Sequence, residues 1–222
     1  MKVSQKLITI KKISILILPL YLISCTNNHN LQHETPVKLA IQPYVGFPEN
    51  DILFAKSVLD SFFNLDITVL EHKQLDERSF VNLKTPRYRA DSIIRFQKET
   101  LKNTDYKYIL GLTIKDVSTT KKNMVHKDRK YLDWGIMGLA FVNGRSCLIS
   151  TKRLKKHEKP ERFNLRFKKI VLHEFGHNLG ASHCQDKLCV MTSAVEKIST
   201  IDKTKLDFCL NCRDLLKLRP NF

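Results

Sequence analysis

The chain has 222 residues, of which 42% are hydrophobic and 27% charged, and its net charge is +16. This composition excludes a disordered or fibrous protein, and the length suits one domain with a sizeable core. Seven glycines are few for a glycine-rich nucleotide-binding protein, and six cysteines are too few for a small protein held together by disulfides, so the spacing of the cysteines matters more than their number.

The start of the chain is typical of an export signal. Residues 1–24 contain four lysines and no acid, and the apolar run at 13–23 is shorter than the roughly 20 residues that span a bilayer. The run ends in Leu22-Ile23-Ser24-Cys25, which resembles the bacterial lipobox. We predict a lipoprotein signal peptide over 1–24, an acylated Cys25, a polar tether over 25–36, and a protein that is exported and membrane-anchored in a bacterial cell envelope. An uncleaved signal anchor, or ordinary cleavage nearby, is the alternative.

The basic residues are scattered as pairs, such as Lys121-Lys122, Lys155-Lys156 and Lys168-Lys169. They could bind nucleic acid or anionic lipid, or they could have no specific partner. No motif of interleaved basic and aromatic residues occurs, and an exported lipoprotein rarely meets nucleic acid. We therefore predict no nucleic-acid partner and a solvated basic surface that favours acidic membrane surfaces or acidic substrates.

Strand-like and helix-like segments alternate after the tether. Strands are predicted at 37–45, 65–70 and 106–114, helices at 50–63 (capped by Asn50-Asp51) and 90–101, and polar loops at 71–86 and 116–133. Together with the segments that follow, this order predicts an α/β (α+β) single domain over 37–222, in which a small mixed sheet lies beside a long helix.

Two later segments are more distinctive. Asn143-Gly144 separates apolar runs at 134–142 and 145–150, which predicts a β-hairpin because both residues tolerate a positive φ. The longest helical pattern covers 161–180. One further helix is predicted around 212–218.

The long helix ends in a set of residues suited to metal chemistry. His173 and His177 are four residues apart, so they project from one helical face and can share one ion. Glu174 can stand beside a metal-bound water as a general base. Gly180 permits a sharp turn, after which His183 can return as a third ligand. Three protein ligands leave one position for water, as in catalytic zinc sites.

Four cysteines follow closely. Cys184 and Cys189 form a C-x₄-C pair, and Cys209 and Cys212 form a C-x₂-C pair. This set suits a closed tetrahedral zinc site, which has a structural role and no catalytic one. In an oxidising compartment the same residues could instead form two disulfides.

The complete pattern resembles a known family. The sequence HExxHxxGxxH is the metzincin signature, and Met191 is similar to the methionine that metzincins place in a tight turn beneath the metal, although a core methionine would look the same. With the cysteines, residues 173–212 resemble the archaemetzincin family of zinc metallopeptidases at every motif position. Gly138, Leu139 and Ala140 are similar to part of that family's edge hairpin.

The resemblance implies a metzincin-type fold with a zinc-stapled C-terminal segment. It implies two zinc ions, one catalytic on His173, His177 and His183 and one structural on the cysteines, and it favours zinc over disulfides. It also implies cleavage of peptide or protein substrates by a monomer, with Gly138 to Ala140 as the rim of the substrate cleft.

These observations predict a zinc metallopeptidase in which Glu174 takes a proton from water. The alternative is a catalytically weak or inactive zinc-binding protein held at a membrane by lipid, and the presence of Glu174 argues against it. A basic lipid- or nucleic-acid-binding protein is supported by net charge alone.

Overall fold

The computed structural model describes residues 35–121, 129–154, 159–193 and 197–218. The strands are β1 (Val37–Pro43), β2 (Leu65–Val69), β3 (Phe80–Val81), β4 (Arg87–Arg89), β5 (Tyr108–Thr113), β6 (Val117–Thr119), β7 (Trp134–Ile136), β8 (Gly138–Ala140) and β9 (Ser146–Ser150). The helices are α1 (Glu49–Phe62), α2 (Ala90–Leu101), α3 (Arg129–Leu132), α4 (Pro160–Asn178), α5 (Ile198–Lys203) and α6 (Leu210–Leu215). The predicted signal peptide and Cys25 lie outside the described residues.

The main sheet has the strand order β2-β1-β5-β9-β8. The first four strands are parallel, and β8 runs antiparallel to β9 at the edge. Every residue of β5 and β9 is buried, because helices cover both faces of the sheet. Leu110 and Ile149 pack in the core that contains α1 and α4, whereas their neighbours in sequence, Ile109 and Leu148, face the side covered by α2.

Helix α4 carries the sequence motif and is buried throughout its C-terminal half. From Ile170 to Asn178 every residue is buried. Phe167 stacks on Phe163 with ring centroids 5.7 Å apart, and Phe175 meets Phe63 edge to face at 5.1 Å. A helix held on this many sides gives its side chains fixed positions, which a metal site requires.

The predicted hairpin is confirmed, but the segment before its turn forms two short strands, β7 and β8, rather than one. Asn143 has a φ of 57°, and β8 pairs with β9. The segment before Met137, β7, pairs instead with β6 in a second sheet of order β3-β4-β6-β7. The predicted loops at 71–86 and 116–133 therefore contain short strands, whose two or three residues are too few to show an alternating pattern.

The start of α1 also differs from the prediction. The helix begins at Glu49 after Pro48, and Asn50-Asp51 lies in the first turn rather than at the cap. Proline has a φ already suited to a helix start, and the acidic groups of Glu49 and Asp51 interact favourably with the helix dipole.

No helix in the described part of the chain is long and apolar enough to cross a membrane.

Candidate metal centre and active site

Three histidines converge at the C-terminal end of α4. The Nε2 atoms of His173 and His177 are 3.1 Å apart. The His183 ring lies 5.4 Å from the His173 ring and 4.9 Å from the His177 ring, centroid to centroid. One ring nitrogen from each histidine lies within 4.8 Å of the others, so the three could hold one metal ion.

Two of the rings are fixed by backbone carbonyls. Nδ1 of His173 donates a hydrogen bond to Val190 O at 2.7 Å, and Nδ1 of His177 donates to Ala181 O at the same distance. With the proton on Nδ1, each Nε2 presents a lone pair to the shared space. Burial lowers the pKa of His173 to about 3, and burial also lowers the pKa of His177. Both rings are therefore neutral at neutral pH, which is the form that binds metal.

The third histidine reaches the site through a sharp turn. Gly180 has a φ of +109°, a conformation that residues with a side chain rarely adopt, and its N–H donates to His177 O at 3.0 Å. The chain then reverses, and His183 stands exposed beside the two buried rings. This position leaves the centre open to solvent on the side of His183.

Glu174 lies against the edge strand. Its side chain is buried, and burial raises the pKa of its carboxyl to about 8. A Cβ atom at Gly138 would stand only 2.6 Å from Glu174 Cγ, so the strand leaves room for the carboxyl because that residue has no side chain. Gly138, Leu139 and Ala140 form β8, the edge of the main sheet, next to this carboxyl.

Met191 packs against α4 at Gly176. It is fully buried, and a Cβ atom at Gly176, between the histidines in sequence, would stand 2.6 Å from its Sδ. The neighbouring Val190 carbonyl accepts the His173 hydrogen bond. The turn around Met191 therefore both supports α4 and orients one ring.

The four cysteines form a second cluster. The Sγ atoms of Cys184, Cys189, Cys209 and Cys212 lie within 4.8 Å of one another, and all four thiols are free. Cys184 Sγ and Cys209 Sγ are 3.6 Å apart, well beyond the length of a disulfide bond of about 2.05 Å. The cluster could hold one metal ion.

Backbone N–H groups point at one of these sulfurs. Cys189 Sγ accepts from Met191 N at 3.4 Å and from Cys209 N at 3.3 Å. Although burial opposes it, hydrogen bonds from the Cys212 backbone and from the other thiols lower the pKa of Cys209. Burial raises the pKa of Cys189 to about 11 and also raises the pKa of Cys212. The thiolate, which is the metal-binding form of cysteine, is therefore favoured at Cys209 but not at these two residues.

Two buried cations on the same helix were not predicted from the sequence. Arg166 and Lys169 are 2% and 3% exposed, although lysine pairs such as Lys168-Lys169 were predicted to form a solvated surface. Residues 166, 169 and 173 follow the spacing of one helical face, and that spacing could have indicated that both cations face the metal side.

Comparison with known proteins agrees with this geometry. Residues 49–218 match peptidase family M54. The archaemetzincin of Haloquadratum walsbyi is 28% identical over 170 residues, which are 73% of this chain and 89% of that protein. The archaemetzincin of Methanopyrus kandleri is 30% identical over 131 residues, which are 58% of this chain and 67% of that protein.

Solved structures show the same fold. The crystal structure of the archaemetzincin from Archaeoglobus fulgidus, complexed with malonate, matches with a TM-score of 0.64 and 25% identity, covering 81% of this chain and 99% of that one. The archaemetzincin from M. kandleri matches with a TM-score of 0.66 and 24% identity, covering 84% and 97%. Because the family match extends over most of the chain, this protein belongs to peptidase family M54, the archaemetzincins, and is a zinc metallopeptidase.

Proposed function

We propose that this protein hydrolyses peptide bonds by a reaction in which Glu174 is the general base and His173, His177 and His183 hold the catalytic zinc. Two observations carry the proposal: three imidazole nitrogens converge at the end of α4, and the buried carboxyl of Glu174, which follows His173 in the helix, lies against Gly138 of the edge strand. Three nitrogen ligands suit zinc and leave one coordination position open. Zinc bound there would polarise the scissile carbonyl and lower the pKa of a bound water to about 7.

The environment of Glu174 supports its role in proton transfer. Burial raises the pKa of its carboxyl from its ordinary value to about 8. A general base is most effective when its pKa lies near the pH of the reaction. Glu174 would take the proton of the attacking water and deliver it to the leaving amine.

The edge strand β8 supports the binding of an extended substrate. One side of β8 pairs with β9, and its other side is the end of the sheet. Backbone groups of Gly138, Leu139 and Ala140 would pair with a substrate strand and bring its scissile bond alongside Glu174. The small residue at 138 keeps the carboxyl and the substrate close together.

We also propose that Cys184, Cys189, Cys209 and Cys212 hold a second, structural zinc. Support comes from the free thiols, the mutual Sγ distances and the N–H groups that point at Cys189 Sγ. Four thiolates form a closed tetrahedral site without a position for water.

For the N-terminal part, we propose that an acyl chain on Cys25 anchors the exported protein to a membrane. The support is the order of lysines, apolar run and Leu22-Ile23-Ser24-Cys25 in the sequence. Mass analysis of the intact protein from a bacterial membrane fraction would show added acyl mass on Cys25, and an unmodified Cys25 there would refute the anchor.

The test of the activity is cleavage of a peptide library by the purified domain. Cleavage should stop when a chelator removes the metal and return when zinc alone is added back, because the proposed reaction needs zinc and no other partner. Cleavage that persists in the metal-free protein would contradict the proposal. So would a zinc-loaded, folded domain that cleaves no peptide.

A further inference from the structure

The end of helix α4 is bonded directly to the hairpin that carries the edge strand β8. The turn of this hairpin, residues 141–145, lies between β8 and β9. Asn143 N donates to His177 O at 2.9 Å, and Gly180 N donates to the same carbonyl. The backbone of the metal-binding residue His177 is therefore joined to the turn that follows β8.

Asn178 adds a second connection through its side chain. It is the last residue of α4 and is 2% exposed. Its Nδ2 donates to Ser146 O at 3.1 Å and, less closely, to Phe141 O at 3.4 Å. Phe141 directly follows β8, and Ser146 begins β9. One amide nitrogen thus bridges the two ends of the hairpin turn.

The surroundings of this amide fit its nitrogen rather than its oxygen. Among the residues that the structure describes, Asn178 Oδ1 has no hydrogen-bond partner although it is buried. Because burying an unpaired acceptor is costly, the stabilising contribution of this side chain comes from its donor bonds. A Cβ atom at Gly144 would stand 3.1 Å from Asn178 Nδ2 and 2.7 Å from Phe141 O, so the glycine leaves room for the amide.

The edge strand depends on such connections because it is short and open on one side. It has three residues, it pairs with β9 on one side, and its other side is the end of the sheet. Phe141 and Val142, which follow it, are 41% and 44% exposed. A segment with few buried contacts opens locally at a low cost in free energy. The bonds at the turn therefore help to fix β8 relative to α4.

We propose that Asn178 is a positioning residue whose amide holds β8 beside the zinc centre, ready to pair with an extended substrate. This inference rests on the proposed peptidase activity and adds a residue that determines how tightly a substrate binds. A strand that is ordered before the substrate arrives loses less entropy on binding. The effect should appear in KM for peptides that lie along β8. It should not appear in kcat, because Glu174 and the three histidines lie on α4 and its C-terminal turn.

The test compares Asn178→Leu with the wild type on two substrates. Leucine is similar in size to asparagine but cannot donate a hydrogen bond. One substrate is a long peptide that the library shows to be cleaved, and the other is the same peptide shortened to the residues next to the cleaved bond. For the long peptide we expect KM to rise at least about fivefold and kcat to stay within about twofold. For the short peptide KM should change by less than about twofold, because it does not reach along β8.

Gln42→Leu is the matched control. Gln42 also carries a buried amide whose nitrogen donates to two backbone carbonyls, Glu71 O at 2.7 Å and Pro43 O at 3.0 Å. It lies in β1, which is separated from β8 by β5 and β9. The control should lose thermal stability, as Asn178→Leu does, but it should keep the wild-type KM for both peptides.

Gly144→Ala perturbs the same contact from the side of the hairpin. The added Cβ would displace the Asn178 amide, so KM for the long peptide should rise as it does in Asn178→Leu. This second variant tests the inference even if leucine at position 178 prevents folding.

Two kinetic results would overturn the inference. One is an unchanged KM for the long peptide in a folded, zinc-loaded Asn178→Leu or Gly144→Ala protein. The other is an equal rise of KM in Gln42→Leu. Neither result would affect the proposed peptidase activity.

If the wild type cleaves no peptide, the proposed activity fails, and amide hydrogen exchange of the zinc-loaded proteins decides on the role of Asn178. Exchange at residues 138–140 should be at least about tenfold faster in Asn178→Leu than in the wild type and in Gln42→Leu. Equal exchange rates in the three proteins would refute the positioning role.

Discussion

Replacement of Glu174 by glutamine is expected to lower kcat by about 10²- to 10⁴-fold while the protein keeps its zinc. Glutamine has nearly the same shape, so it fits the space that Gly138 leaves beside α4, but its amide cannot take a proton from water. Because the buried carboxyl is replaced by a neutral group, the folded protein should be at least as stable as the wild type. The measurements are kcat, zinc content and the thermal midpoint of unfolding.

A suitable control for this variant lies on the same helix. Glu161 is exposed in the first turn of α4, and Glu161→Gln should change kcat very little. If Glu174→Gln retained more than about a tenth of the wild-type kcat, the assignment of the general base would be wrong.

Replacement of Cys212 by serine is expected to remove one zinc ion and to lower the thermal midpoint by more than about 10 °C. The cysteine cluster joins the turn around Met191 to the C-terminal segment, where Val190 N also donates to Asp207 O at 3.0 Å. Loss of the ion would therefore loosen the Met191 turn, including the Val190 carbonyl that orients His173. Activity should fall as a consequence.

The control for the cysteine cluster is the remaining described cysteine. Cys147 is fully buried in β9, outside the cluster, so Cys147→Ala should keep the zinc content of the wild type. A Cys212→Ser protein with unchanged zinc content and midpoint would contradict the structural zinc. A second contradicting result would come from alkylation of the unfolded, metal-free protein. If the four cysteines reacted only after a reductant was added, they would be paired in disulfides and could not hold zinc.

The convergence of the three histidines was predictable because these residues are close in sequence. The helical spacing of His173 and His177, the turn at Gly180 and the return of His183 all fall within 11 residues, and one helix with its C-terminal turn determines their positions. The hairpin was predictable for the same reason, because the adjacent residues Asn143 and Gly144 indicate its turn. The two parallel strands β5 and β9 are apolar runs because both of their faces are covered.

The remaining features depend on contacts between distant parts of the chain. Strand β4 pairs with β6, and Arg87 Nε donates to Asp116 at 2.8 Å although the two residues are 29 positions apart in sequence. No local sequence pattern therefore indicates the second sheet. Lys169 looks like any surface lysine until α5 packs over it and brings Ile201 O to its ammonium. A charge count along the sequence cannot distinguish a solvated cation from a buried one.

The most direct test of the account is the zinc content, by native mass spectrometry, of the wild type and of a variant with both His173→Ala and His177→Ala. We expect two zinc ions in the wild type and one in the variant, and the ion retained on the cysteine cluster would show that the fold persists. A variant that still binds two ions, or a wild-type protein that carries no zinc and takes none up, would contradict the claim that these histidines form the catalytic metal centre.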